Sequence, residues 1–332
     1  MGVTLLLFKS IIQKLCRKLK TVIKGRIFIQ KKSNLFNSRK RIKEILQVAP
    51  FLFPGLILVT IFIIYPLMKG FQISFYDWNI MPGQSSEFIG FVNYKRAFND
   101  EFARMALRNT VLYGLVTVPG QIILGMMTAL MINARIRGRI FFRTLYYIPV
   151  VTSWVIVALV FKYLFRSGGG VINYILKDIL HFIPEYVDWL QNTWSAMVAI
   201  MSLGIWKGIG WSMVIFLAAL QSIPAELYEA ASIDGATKIQ NFFHITLPLI
   251  RPTVVFVLVM LIIGSFNVFI SVFLMTGGGP MNTTQVMLSY MYKQAFSYFD
   301  FGYGSAISFI LAGIILFITL IQMKLLRQKV QY

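Results

Sequence analysis

Charged side chains are scarce in this sequence. Asp, Glu, Lys and Arg make up 13% of its 332 residues, about half the share that soluble domains carry, whereas apolar residues make up 57%. A chain with so little polar surface cannot coat a water-soluble globule, so the composition predicts a membrane protein. The aromatic share of 15% excludes a disordered or collagen-like chain.

Groups that carry enzymatic or redox chemistry are also few. The one cysteine, Cys16, excludes a disulfide framework, a cysteine-based zinc site and an iron–sulfur cluster. The two histidines, His181 and His244, have no metal-ligand spacing around them, so we expect no metal site and no cofactor in this chain. No G-x-x-x-x-G-K-[ST] run is present to bind ATP phosphates. These absences argue against a membrane enzyme and against an ATPase.

Long gaps between charges predict six membrane-spanning helices, because a span needs about 20 mainly apolar residues. No acidic residue lies inside any of them, whereas ion-coupled carriers usually place acids inside spans. The glycine–proline run 277–280 ends the fifth span. The predicted spans lie at about 49–68, 109–134, 143–165, 193–220, 253–275 and 302–324.

Basic residues are distributed unevenly between the segments that join these spans. With the N-terminus in the cytoplasm, the inside segments hold 22 Lys and Arg residues and the outside segments hold nine. The positive-inside rule therefore predicts a multi-pass protein with both termini, including 327–332, in the cytoplasm. The basic tail 1–44 is either an amphipathic helix on anionic inner-leaflet lipid or a solvated tail that only enforces orientation. This placement of charge points to lipid and not to nucleic acid.

The segment 222–252, between the fourth and fifth spans, is long for a simple connector. Its pattern predicts a helix–turn–helix that could dock a partner protein; the alternative is an interfacial hairpin with no partner. The expected order is an N-cap at Ser222 with Pro224 in the first turn, a helix over 225–233, a turn at Asp234-Gly235, a second helix over 236–244 and a helix end at Leu247-Pro248.

The residues of this segment resemble the EAA loop of bacterial ABC import permeases. The matching pattern is Glu229-Ala230-Ala231, Gly235 and Ile245-x-Leu247-Pro248, with the family's spacing. The resemblance covers residues 45–326 and is similar to the carbohydrate-type branch, the maltose and glycerol-3-phosphate permease relatives. Further matches to that branch are Tyr228, Asp234, Ala236, the run 216–224, the run 276–280 with Thr283-Thr284, Tyr290, Tyr292, 295–296 and 302–306.

The resemblance implies an all-α integral membrane protein with six transmembrane helices, a maltose-permease-like fold and cytoplasmic coupling helices. It implies a transport subunit of a bacterial inner-membrane importer for sugars or oligosaccharides, not an enzyme. The implied partners are a second homologous permease, an extracytoplasmic solute-binding protein and two ATPase subunits that bind ATP-Mg. A non-sugar solute, such as a glycerophosphodiester or polyol, is the alternative within this class, and an ion-coupled secondary carrier is the alternative outside it.

The resemblance also assigns contact residues in the loop. In the family this loop fits a groove on the ATPase, so Glu229 is the expected charged contact and Gly235 the turn between the two short helices. Asp234 is expected either to cap the second helix or to contact the ATPase. The coupling residues carried over in this way are Glu229, Ala230, Ala231, Asp234, Gly235 and Pro248.

Lys207 lies in the middle of the predicted fourth span, so it must face protein or water. One interpretation is a cation lining the substrate pathway, with Trp206 and Trp211 as flat surfaces for sugar rings. The other is a structural lysine paired with backbone carbonyls or a neighbouring subunit. Gly204 and Gly208 predict a close helix approach on the same span. Asn267 and Ser271, one turn apart in the fifth span, are further candidates for hydroxyl recognition or for bonds between helices.

The predicted topology can be tested with Cys16. We expect a membrane-impermeant maleimide to label this thiol in inside-out vesicles and to spare it in right-side-out vesicles, because the basic tail is predicted to face the cytoplasm. Labelling in the opposite pattern would overturn the orientation of the whole chain. A Cys16→Ser variant controls for labelling of other proteins.

Overall fold

The computed structural model describes residues 48–79, 85–134 and 137–326. The predicted tail 1–44 with Cys16, and the segment 327–332, lie outside the described residues. In chain order the elements are α1 (Val48–Ile73), β1 (Tyr76–Asp77), β2 (Glu87–Phe88), α2 (Val92–Asn99), α3 (Glu101–Asn133), α4 (Arg139–Val151), α5 (Trp154–Leu164), α6 (Val171–Asn173), α7 (Thr193–Gln221), α8 (Ala225–Ile233), α9 (Lys238–Asn241), α10 (Leu247–Phe266), α11 (Ile270–Met275), α12 (Met287–Tyr292) and α13 (Phe301–Leu326). Short π-helical turns lie at Thr60–Ile64, Tyr174–Ile179, Phe242–Thr246 and Lys293–Ser297.

Within the described residues, five stretches are long and apolar enough to cross a membrane: α1, α3, α7, the run from α9 to α11, and α13. The pair α4 and α5 passes the same test when the two helices are taken together, which gives up to six spans. The predicted all-helical, six-span fold class is therefore confirmed. The two-residue strands β1 and β2 form an antiparallel pair between α1 and α2.

The prediction of a continuous third span over 143–165 is wrong. The helix stops at Val151, resumes at Trp154, and changes direction by 98° between the two pieces. Thr152 and Ser153 are both extended, and the Ser153 hydroxyl accepts a hydrogen bond from the Val155 N–H at 3.3 Å. Serine satisfies a free N–H at the start of a helix in this way, so it begins a new helix here.

Two long helices, α3 and α7, pack closely because glycine lies at their contact. A Cβ on Gly204 would lie 2.2 Å from the Tyr113 hydroxyl, and one on Gly208 would lie 2.0 Å from the side-chain oxygen of Gln121. The Gln121 amide donates a hydrogen bond to the Gly204 carbonyl at 3.2 Å. The close helix approach predicted from these two glycines is confirmed.

Three clusters of buried apolar side chains surround this helix pair. The first joins α3, α5, α7 and α11. The second joins α2, α3, α10, α12 and α13. The third joins α3, α7 and α10. Because α3 contributes to all three clusters, it is the element that α2, α5, α7, α10, α11, α12 and α13 share in these clusters.

A polar network ties the start of α3 to α2, α12 and α13. The Asp100 carboxylate accepts hydrogen bonds from the Tyr290 hydroxyl at 2.5 Å and from the Tyr303 hydroxyl at 2.6 Å. Arg96 forms an ion pair with Asp300 at 2.6 Å, and its guanidinium lies 4.0 Å from the centre of the Tyr303 ring. Burial raises the pKa of the Asp100 carboxyl, but the hydrogen bonds lower it more, so this pKa lies below its usual value.

Asp100→Asn should lower the thermal unfolding midpoint of the purified protein at pH 7, because a neutral acceptor replaces a charged one. The expected loss is about 1–2 kcal/mol. Stability from the ionised carboxyl is present above its unfolded pKa and disappears as the pH falls through the lower folded pKa. The gap between variant and wild type should therefore begin to narrow below about pH 4, near the unfolded pKa of aspartate, and close only when the pH has fallen below the lower folded pKa of Asp100. Asp188→Asn, at an exposed site, is the control.

Equal midpoints for Asp100→Asn and wild type at pH 7 would show that the network contributes no stability.

Candidate translocation pathway and coupling loop

Lys207 lies beside the break between α4 and α5. Its side-chain ammonium donates hydrogen bonds to the carbonyls of Pro149 at 2.6 Å and Thr152 at 2.8 Å, and it lies 4.8 Å from the centre of the Trp154 ring. The residue is 4% exposed. These carbonyls lie at the end of α4, where the helix has no further backbone N–H groups to donate to them, and the ammonium binds both. The Thr152 hydroxyl also donates to the Pro149 carbonyl, at 2.7 Å. These contacts match the second interpretation given above, in which Lys207 is a structural lysine paired with backbone carbonyls.

Two cavities are lined by Trp154, the first residue after the break. The first, of about 250 Å³, is lined by Lys207 and Trp211 among others. The second, of about 470 Å³, is lined by Asn267 and Ser271 among others. Both cavities share three lining residues, Tyr113, Trp154 and Gly264. We call these two spaces the pathway cavities; four of the five predicted pathway residues line one or the other.

Trp206 is the predicted pathway residue that lines neither cavity. Its ring packs 5.5 Å from the ring of Phe161, and 44% of the residue is exposed. In a helix, Trp206 and the adjacent Lys207 point about 100° apart, so proximity in the sequence did not place both on one face. Trp154, which does line both cavities, was missed because it belongs to a predicted span that looked continuous.

The sequence predicted that Asn267 and Ser271 lie one turn apart on one helix, and this prediction is wrong. Helix α10 ends at Phe266, the backbone of Phe269 leaves the helical region, and α11 begins at Ile270. The Asn267 amide donates to the Ile263 carbonyl at 2.8 Å, which closes the end of α10. Among the described residues, the buried Ser271 hydroxyl has no hydrogen-bond partner.

The segment 222–252 is the candidate coupling loop, called the coupling loop below. It begins as predicted with a helix at Ala225–Ile233 and a turn at Gly235, whose φ is +75°. The caps differ from the prediction. The Ser222 hydroxyl donates to the Ala219 carbonyl at the end of α7 and does not cap the next helix. The second helix begins after Thr237, so the alternative that Asp234 caps it is wrong.

Thr237 provides that cap through a reciprocal pair with Gln240. The Gln240 N–H donates to the Thr237 hydroxyl at 3.3 Å, and the Thr237 N–H donates to the Gln240 side-chain oxygen at 2.7 Å. This is a capping box, which satisfies two N–H groups that the helix leaves free. The sequence T-K-I-Q carries its signature and could have located the helix start.

The predicted helix end at Leu247-Pro248 is also wrong. A π-helical turn at Phe242–Thr246 joins α9 directly to α10, and the Leu247 N–H donates to the Phe242 carbonyl. Pro248 lies in the first turn of α10, directly after the π-helical turn, so the helix continues past a residue that has no N–H to donate. The second half of the loop and the fifth span are therefore one continuous helical rod.

The outer surface of the loop mixes small, acidic and apolar side chains. Glu229, Ala230, Asp234, Gly235 and Pro248 are exposed, and Ala231 is half-buried. Large apolar side chains are exposed around them, with Ile233 at 86%, Ile239 at 71% and Phe243 at 58%. On the other side, the Tyr228 hydroxyl lies 2.8 Å from the Thr246 hydroxyl and fastens α8 to the rod.

Residues 121–332, which include the whole coupling loop and every lining residue of the second pathway cavity except Tyr113, match the family model of the inner membrane component of binding-protein-dependent transport systems. The chain belongs to this family. This permease is therefore a transport subunit of a multi-pass membrane type, and the resemblance seen in the sequence is confirmed.

Curated relatives of this permease cover most of its length. It is 35% identical to the arabinooligosaccharides transport system permease protein AraP of Bacillus subtilis, over 88% of this chain and 90% of that protein. It is 34% identical to the multiple sugar-binding transport system permease protein MsmF of Streptococcus mutans, over 83% of this chain and 93% of that protein.

A solved structure matches the fold as well. The crystal structure of a bacterial ABC transporter involved in alginate import has a chain with a TM-score of 0.77 and 29% identity, covering 88% of this permease and 99% of that chain. A second structure of an alginate transporter, in complex with an alginate pentasaccharide-bound periplasmic protein, gives a TM-score of 0.75 at 28% identity. The maltose-permease type of fold is therefore confirmed.

Gly210 fixes the distance between α4 and α7 beside Lys207. A Cβ at this position would lie 2.1 Å from the Tyr146 carbonyl oxygen, a backbone atom that can move only with α4. Gly210→Ala should therefore destabilise the permease by about 1–3 kcal/mol, measured as a lower unfolding midpoint in detergent. Gly313→Ala is the matched control, since a Cβ there meets nothing within 4 Å. Equal midpoints for both variants would contradict this packing.

Proposed function

We propose that this permease carries sugars or oligosaccharides and forms, with a second homologous permease, the pathway of an ATP-driven bacterial importer. The observation that carries the proposal is the likeness, over more than four-fifths of the chain, to permeases whose names specify arabinooligosaccharides and multiple sugars. The alginate transporter adds a third carbohydrate substrate among the similar proteins.

The lining of the pathway cavities supports a carbohydrate solute. Aromatic faces suit the C–H surfaces of a sugar ring, and neutral polar groups suit its hydroxyls. In the part of the chain that the structure describes, neither cavity is lined by an acidic side chain, as a proton- or sodium-coupled site would need. The aromatic and neutral polar lining residues are Tyr113, Trp154, Trp211, Phe269, Gln121, Ser265, Asn267 and Ser271.

The energy must then come from ATP, and the chain has no P-loop of its own. We assign the exposed outer surface of the coupling loop to contact with ATPase subunits, which hold the ATP-Mg. The exposed Glu229 and Asp234 offer charge to a basic groove, and the exposed Ile233 offers apolar area at the tip of α8. Two such ATPase subunits would serve the two homologous permeases.

This assignment also orients the chain. With the coupling loop in the cytoplasm, both termini lie there, and the starts of α3 and α7 lie on the outer side. We expect an extracytoplasmic binding protein to deliver the solute to that outer end. The alginate transporter in complex with its periplasmic protein supports a partner of this kind.

One relative favours a second candidate solute. The permease is 35% identical to the sulfoquinovosyl glycerol transport system permease protein SmoG of Agrobacterium fabrum, over 83% of this chain and 89% of that protein. A solute that carries glycerol, including a glycerophosphodiester or a polyol, is therefore the alternative. Competition between unlabelled candidates and a labelled neutral oligosaccharide separates the two classes.

Whole-cell uptake tests the proposed function directly. Cells that carry this gene as its sole copy should take up labelled neutral oligosaccharides. Uptake should stop when ATP is depleted and continue when only the ion gradients are collapsed. Uptake that follows an ion gradient in ATP-depleted cells would instead identify a secondary carrier.

The coupling loop provides the matched test of the ATPase contact. Glu229→Lys reverses a charge offered to the groove, and Gly235→Val strains a turn at φ +75° by about 1–3 kcal/mol. Both variants should reach the membrane at normal levels, lose at least tenfold in uptake, and retain less ATPase subunit on purification. A cysteine at Ala231 in a Cys16→Ser background should crosslink to the ATPase.

Gly169→Val is the control for backbone strain, since Gly169 also has a positive φ, +77°, and open space around it. It should keep its ATPase subunits. Normal uptake in both loop variants, with no crosslink at position 231, would refute the coupling assignment and leave a hairpin without a partner.

A further inference from the structure

The geometry points to Trp154 as the residue that stacks against the sugar ring in the pathway, with Lys207 as the positioning residue that holds the indole in place. This inference rests on the proposed sugar transport and names the side chain that recognises the ring. Sequence reasoning assigned this task to Trp206 and Trp211, neither of which lines both cavities.

Trp154 is the large aromatic surface that the two pathway cavities share. Of the three shared lining residues, Gly264 has no side chain and Tyr113 is 4% exposed, whereas 41% of Trp154 is exposed. A solute that moves from one cavity to the other therefore passes this indole. A Cβ on Gly264 would meet nothing within 4 Å, so the space at this shared position is open.

The indole is fixed by the helix break from which it projects. Trp154 is the first residue of α5, directly after the Ser153 N-cap, and it has no preceding helical turn to support it. The Lys207 ammonium binds the Thr152 carbonyl two residues earlier and also lies 4.8 Å from the centre of the indole ring. One ammonium group thus holds both the backbone before Trp154 and the ring itself.

The charged group of Lys207 makes its hydrogen bonds to the protein's own backbone. Two of its three N–H donors bind carbonyls at 2.6 and 2.8 Å, and the residue is 4% exposed. Little of the ammonium is therefore left to bind a substrate group directly. Its effect on transport must pass through the position of Trp154 and of the helix break.

An indole recognises a ring by its shape. Its flat apolar face covers the C–H bonds on one face of a pyranose or furanose, and the hydroxyls at the ring edge remain free for polar groups such as Asn267. A linear polyol has no such face. Recognition by Trp154 therefore favours cyclic sugars over open-chain polyols.

Uptake in whole cells tests the inference, with labelled neutral trisaccharides of glucose, galactose and arabinose as the probes. We expect Trp154→Leu to lower the maximal uptake rate at least tenfold and Trp154→Phe to stay within about threefold of wild type, because Phe retains an aromatic face and Leu does not. Trp206→Ala, an exposed tryptophan outside both cavities, should stay within twofold. The half-saturating concentration for uptake should be the same in wild type and in all three variants, because the separate binding protein, which is unchanged, sets it.

Lys207→Met tests the positioning role. If Lys207 acts through Trp154, the double variant Trp154→Leu/Lys207→Met should be no slower than the worse single variant, because both changes remove the same interaction. Effects that multiply would show that Lys207 acts independently and would overturn this part of the inference. Membrane levels and ATPase association, measured for every variant, exclude misfolding as the cause.

Two results separate the inference from the proposed function. If wild-type cells take up none of the trisaccharides, the proposed substrate class is wrong and the inference fails with it. If wild-type cells transport them and Trp154→Leu transports them equally well, the importer stands and only the role of Trp154 is overturned. Equal loss in Trp154→Phe and Trp154→Leu at normal membrane levels would likewise overturn stacking.

Discussion

The arrangement of the pathway depends on one buried ammonium group. Lys207 joins α7 to the end of α4 and the start of α5 through the carbonyls of Pro149 and Thr152. A helix that ends within the apolar interior leaves carbonyls without donors, and no water is present in hydrocarbon to replace them. A lysine inside the same apolar interior also needs polar partners. The carbonyls at the break and the ammonium of Lys207 therefore provide each other's hydrogen-bond partners. Trp154, directly after the break, lines both cavities.

Glycine makes this arrangement compact. Gly204 and Gly208 let α3 lie against α7, and Gly210 lets α4 approach the same helix. A short segment of α7 that contains Lys207 therefore lies close to both α3 and α4. Small residues allow such approaches in membranes, where helices gain their association from packing and hydrogen bonds. The same segment thus carries both the tight packing and the buried charge.

The sequence was sufficient for features that depend on composition and was insufficient for features that depend on single backbone bonds. Gaps between charges located the six spans, and the positive φ of Gly235 followed from the Asp-Gly turn. The break at Thr152-Ser153 was missed because no charged residue marks it: 144–161 is free of charge on both sides of the break. The continuation through Pro248 was missed because proline usually ends a helix pattern, whereas here it falls in the first turn of α10. The sequence left two interpretations of Lys207 open, a substrate-pathway cation and a structural lysine paired with carbonyls. The carbonyl contacts became visible only from the position of α4 in the structure.

The continuous rod from Lys238 to Phe266 has a mechanical consequence. At 1.5 Å per residue, its 29 residues span about 43 Å from the coupling loop to the position just before Asn267. In a rod of this length, a small change of angle at one end produces a larger displacement at the other end. A tilt of about 5° at the loop would displace its far end by about 4 Å, which exceeds the diameter of a water molecule. Small rotations at the proposed ATPase contact would therefore be magnified at the wall of the second cavity, where Asn267 lies.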